Sequence, residues 1–214
     1  MVRVWDIFVR FSHWTVALGF FIAYFTEDEA LALHVWAGYV VGVFVVMRVL
    51  WGFVGPRHAR FSDFLYGPHK IFSYLRDLIG FRAERHLGHS PAGGAMAIAL
   101  WIGLAAVVWS GLEFYAAEEG AGPLAALRAE AVAPTASGGG LLVLASEHED
   151  DEDEHEGGRG GEGRGGGDWE DIHEVLANLV LVLVILHIGG VILASVVHRE
   201  NLARSMVTGM KREN

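Results

Sequence analysis

Apolar residues in this chain fall into four long blocks with few charges inside them. They run near Phe8–Phe25, Leu33–Val54, Ala92–Tyr115 and Ile172–Val197. A helix needs roughly 17–25 such residues to cross a bilayer, and each block is long enough. The pattern predicts an all-α fold, an integral membrane four-helix bundle. Glu27, Asp28 and Glu29 follow the first block and no small-x-small cleavage site does, so it reads as a retained span. The first connection, about Thr26–Ala32, is so short that the first two spans must be antiparallel.

Basic residues orient the bundle. Arg3, Arg10, Arg48, Arg57, Arg60, Lys70, Arg76, Arg82, Arg85, Arg199, Arg204, Lys211 and Arg212 all fall on one side of a four-span arrangement. The positive-inside rule makes that side cytoplasmic, with both termini there. Within the inner connection, His69–Phe81 sets Phe72, Leu75, Leu78 and Ile79 at helical spacing among Lys70, Arg76 and Asp77. That pattern suits a helix lying in the headgroup region, and a surface for a soluble partner would look similar.

Charge is uneven. The chain carries −10 in all, but residues 116–171 hold 15 acids and 3 bases, which leaves a nearly neutral body. This stretch is the expected outer loop. Its core, Glu147–Glu156, has eight carboxylates and two histidines, a Gly/Arg/Glu tract follows to Gly167, and disorder is expected over 147–167. The acidic tract suits a solvated polyanion, a weak metal-gathering segment, or a steering surface for a cationic partner. No nucleic-acid partner is expected. Cysteine is absent, which excludes disulfides, thiolate metal sites and covalently attached c-type haem.

Ionisable residues in spans are costly and point to function. Four histidines stand out: His13, His34, His173 and His187. His173 and His187 are 14 residues apart on one predicted helix, nearly four whole turns, so they share a face and stand about 21 Å apart along it. His13 enters with the first span at inner depth, and His34 with the second at outer depth. The four therefore sort into two pairs, His13 with His187 and His34 with His173, each drawn from two helices. Facing neutral imidazoles are the axial ligands of a six-coordinate haem iron, which disfavours oxygen binding and leaves electron transfer. Gly38 and Gly42 clear a strip beside His34, or serve as an ordinary helix-packing motif, and Gly190 lies one turn from His187.

Other polar residues have weaker claims. Arg10 and Arg48 could pair with haem propionates or simply snorkel. His89, in the Gly88-His89-Ser90-Pro91 turn, could contact a propionate or a quinone, while Ser90-Pro91 also reads as a helix cap. His58, His69, His86 and His198 read as headgroup-facing. Glu113 is the one acid in the third span, expected near its outer, wet end as a possible proton acceptor.

Several motifs together resemble the bacterial cytochrome b561 family. They include Ser12-His13-Trp14, His34-Val35-Trp36-Ala37-Gly38, Arg48-Val49-Leu50-Trp51-Gly52, Leu87-Gly88-His89-Ser90-Pro91, Ile172-His173-Glu174, Leu186-His187 and His198-Arg199-Glu200-Asn201. The resemblance spans both ends and all four apolar blocks, leaving out roughly Ala116–Gly167. It implies two b haems, exchange with quinone, and a bacterial inner membrane, with the family's ligand pattern falling on the same four histidines. It also implies kinship with the b-type cytochrome subunit of nickel–iron hydrogenases. The expected function is electron transfer between membrane quinone and a periplasmic redox partner such as a c-type cytochrome. Alternatives are the cytochrome subunit of a hydrogenase or other dehydrogenase and, in another class, a metal-ion transporter.

Overall fold

The computed structural model describes residues 1–27, 30–132 and 164–213. A short strand β1 (Val2–Arg3) leads into α1 (Ile7–Phe25) and α2 (Leu31–Val54). A 3-10 turn at Arg57–Ala59 and the short α3 (Phe61–Phe64) precede α4 (Pro68–Ile79). Then come α5 (Pro91–Glu118), α6 (Gly122–Val132), α7 (Arg164–Val197), α8 (Leu202–Thr208) and β2 (Met210–Lys211).

The helix starts are chemically marked. Asp6 caps α1 by accepting from Val9 N at 3.0 Å, and Ser90 caps α5 by accepting from Gly93 N, with Pro91 at the first helical position. Asn201 caps α8, which ends at Gly209 with φ +79°, a left-handed conformation that glycine adopts without steric cost.

α1, α2, α5 and α7 are each long and apolar enough to cross a membrane. They pack as a bundle in which α1 lies on α2, α2 meets α5 and α5 lies on α7. Large apolar side chains remain exposed on its outside, among them Leu18, Trp36, Val43, Phe53, Ile102, Trp109, Val182, Ile185 and Val196. Such an unbroken apolar surface is stable only with lipid as its solvent, and the protein is membrane-embedded.

One expected boundary moves, and one helix is added. α7 begins at Arg164 and not near Ile172, so the end of the Gly/Arg/Glu tract is helical. The added residues include Gly165–Gly167, poor helix formers, so these turns rest on the long nucleated helix that follows them. Helix α6, in the expected outer loop, was not foreseen. The acidic tract Glu147–Glu156 lies outside the described residues.

β1 pairs antiparallel with β2, Val2 opposite Lys211, so both termini lie together at one end of the bundle. We call this the near end, and the end where α1 turns into α2 the far end. The helix expected in the first long connection is α4, but its faces divide differently from the expectation. Phe72 and Ile79 are exposed, whereas Leu78 is buried with Tyr74 against Ala194 of α7. Leu78 is thus an anchor to the bundle and not part of an exposed apolar stripe. His58 and His198 are also tied inward and do not face headgroups freely: His58 Nδ1 meets Asp63 at 2.9 Å and His198 Nε2 meets Tyr74 Oη at 3.1 Å.

The bundle centre is apolar. Phe20, Val41, Val45, Leu104 and Val180 bury one another there, with every spanning helix contributing. Val180 is seven residues from both His173 and His187, about 10 Å along the helix from each. Phe20 stands seven beyond His13, and Val41 seven beyond His34. The apolar layer therefore lies midway between two levels of histidine.

Candidate functional site

The two histidine pairs expected from depth are present. His13 of α1 faces His187 of α7 with ring centroids 6.3 Å apart, near the near end. His34 of α2 faces His173 of α7 at 5.9 Å, near the far end. In both cases α7 reaches across to helices on which it is not closely packed. Tyr24 Oη donates to Asn178 Oδ1 at 2.8 Å and ties α1 to α7 between the levels.

The far-end rings are fixed by hydrogen bonds. His34 Nδ1 lies 2.9 Å from the carbonyl oxygen of Ala23 in the last turn of α1, an oxygen that also accepts from Thr26 N at 3.2 Å. His173 Nδ1 lies 3.0 Å from Ser110 Oγ of α5. Gly111 gives that ring its seat, because a Cβ there would stand 2.8 Å from His173 Cε1. A cavity opens beside the pair, with Gly38, Tyr39, Gly111 and Tyr115 among its lining. The two readings of the glycine strip divide between its members. A Cβ at Gly38 would meet no atom within 4 Å, so Gly38 keeps space open. One at Gly42 would come 3.0 Å from Val108, so Gly42 serves helix packing. Gly190, near His187, also faces open space.

The near end holds buried polar atoms without partners among the described residues: Arg10 Nε, His13 Nδ1, Arg48 Nη1 and His89 Nδ1. Arg48 does not snorkel. It is buried, donates through Nη2 to Ala59 O at 3.2 Å, and lies 4.5 Å over the Trp101 ring. His89 packs between Trp5 and Phe64, with centroids at 4.8 and 4.6 Å. Burial pushes its pKa down to about 3, and the charges of Arg48 and Lys211 act in the same direction, so it is neutral. An unpaired buried donor costs about 1–3 kcal/mol, so such a set signals a polar or anionic group that belongs there.

Glu113 is not wet. It is buried and ion-paired with Arg128 of α6, which folds back over the far end. This pair, Ser110 and Gly111 were missed in the linear reading. Ser110 had a signal available, a hydroxyl between Trp109 and Gly111 in an otherwise apolar span.

The arrangement fits haem held by two imidazoles. Metal–imidazole bonds of about 2.0 Å, with about 1.1 Å more from each ligating nitrogen to its ring centre, place two axial rings about 6 Å apart. The observed 5.9 and 6.3 Å match that spacing. The open space at Gly38 and the unpartnered Arg and His donors fit the body and the acidic edge of such a group. Among the described residues no cluster of three or more His, Asp or Glu side chains could hold a bare metal ion. Axial ligation requires only two.

A comparison with family models matches residues 4–209 to the family described as prokaryotic cytochrome b561. Comparisons with curated proteins and with solved structures found no match.

Proposed function

This chain belongs to the prokaryotic cytochrome b561 family, and from that premise we propose that it moves electrons across the bacterial inner membrane through two b haems, between quinone and a periplasmic redox partner such as a c-type cytochrome. The family makes it a b-type cytochrome of transmembrane electron transfer. The finer reading rests on one observation: two histidine pairs at haem-ligating spacing, stacked at two levels of one bundle.

When bound, a haem held by two imidazoles would supply one-electron chemistry. His13 and His187 would hold one such group, His34 and His173 the other. Gly38 and Gly111 leave room at the far-end level. The Phe20–Val41–Val180 layer keeps water from the midplane, so the polar sites are confined to the two levels. At the near end, Arg10 and Arg48 present guanidinium donors suited to a carboxylate. His89, held neutral, presents a ring nitrogen suited to a propionate or a quinone oxygen. The basic near end is cytoplasmic by the positive-inside rule, which places residues 116–171 outside.

Haem content of histidine variants tests the reading. Purified His34→Ala and His173→Ala should each keep about half of the wild-type haem per protein and lose the same optical component. His13→Ala and His187→Ala should lose the other. If His34→Ala and His187→Ala lost the same component, the pairing would be refuted.

A further inference from the structure

The two histidine pairs are supported unequally. A carbonyl oxygen only accepts, so His34 Nδ1, at 2.9 Å from Ala23 O, carries the proton and donates it. Ser110 reaches the same result through a relay. Its hydroxyl donates to Val107 O at 3.0 Å, and its single proton is then spent. The Ser110 oxygen therefore accepts from His173 Nδ1–H at 3.0 Å. Ser110 is almost wholly buried, so water does not compete for either bond. Both far-end imidazoles are held with the proton on Nδ1 and the Nε2 lone pair free. At the near end, His13 Nδ1 is buried with no partner among the described residues.

A ring that donates from one nitrogen is a more basic ligand through the other. A more basic ligand stabilises the oxidised metal over the reduced one.

We infer that the two redox sites differ in potential, with the His34/His173 site the lower, and that Ser110 is a positioning residue that sets part of the difference by holding His173 in one tautomer. The inference rests on the ligand assignment proposed above. An electron shared between the sites then resides mostly at the near-end one, and electrons entering at the far face run downhill across the membrane.

Optical redox titration of the purified full chain tests this. Wild-type protein should titrate in two one-electron waves. His187→Ala should keep the lower wave and His34→Ala the higher. Ser110→Ala should raise the lower wave by about 59 mV, a tenfold loss of preference for the oxidised state, and leave the higher wave in place. Ser110→Thr, which keeps the hydroxyl, should restore the wild-type value. If each histidine variant loses one haem but the order of the waves is reversed, or Ser110→Ala moves neither wave, the inference is wrong and the ligand assignment stands. If His34→Ala or His187→Ala keeps both haems, the assignment fails and the inference falls with it.

Discussion

Gly111→Ala sets two effects of known size against each other. The new Cβ would stand 2.8 Å from His173 Cε1 and 3.2 Å from Nδ1. Ordinary van der Waals contact begins near 3.5 Å, so the ring must retreat by roughly 0.7 Å. Ligand distances in a metal site tolerate only about ±0.2 Å. The imidazole cannot slide that far and keep its 3.0 Å bond to Ser110, so tautomer control weakens together with position. The helix itself responds with the opposite sign, since replacing an interior glycine by alanine favours the helix by about 1 kcal/mol. In the haem-free fold the helix gain and the lost Ser110–His173 bond, each about 1 kcal/mol, roughly offset, so its stability should stay near that of wild type while the far-end site loses about 10–100-fold in haem affinity. The assay is haem per protein in the purified variant, followed by haemin titration and a thermal melt of the haem-free form. Gly38→Ala is the companion variant: its Cβ meets no protein atom within 4 Å, so any haem it loses reports what fills that space. If Gly111→Ala retains wild-type far-end affinity while His173→Ala loses that haem, the argument from the ring's seat is refuted.

Removing Arg128 by Arg128→Ala leaves the Glu113 carboxylate buried and unpaired, and should destabilise the protein by about 1–3 kcal/mol in a thermal melt. Adding Glu113→Gln should recover most of that loss, and equal melting of the two variants would contradict it. His89 has a folded-state pKa near 3 against an ordinary 6.5, so its neutral burial contributes stability that is full above pH 6.5 and lost as pH falls toward 3. The slope reaches at most about 1.4 kcal/mol per pH unit, and His89→Gln should flatten melting temperature against pH across that window. Deleting Glu147–Glu156 should slow reduction or oxidation of a cationic partner at low salt, with no change in haem content. The difference should vanish near 1 M salt, where the Debye length is about 3 Å, and stopped-flow rates that are equal at low salt would leave the tract without a steering role.

The fold was legible because membrane insertion is dictated by local properties of the chain. A run of apolar residues, a helical rise of 1.5 Å per residue and a count of bases on each side are all one-dimensional quantities. They were enough to find four spans, to put His13, His34, His173 and His187 at two depths and to pair them across helices. Ser90-Pro91 likewise announced the start of α5 through a cap that needs only its own neighbours.

What escaped that reading depends on contacts between segments distant along the chain. Ser110 meets His173 across 63 positions, and Gly111 matters only because that ring stands over it. Glu113 read as a wet acid because Arg128 reaches it only after α6 folds back. Arg48 read as a snorkelling base, since nothing nearby in the chain shows that Ala59 and Trp101 close over it. The pairing of Val2–Arg3 with Met210–Lys211 links the two ends of the chain and leaves no periodic trace in either. Helical periodicity records which way a side chain points and how deep it lies. The group it meets there, and so its tautomer, charge and potential, is set by which other helix arrives at the same depth.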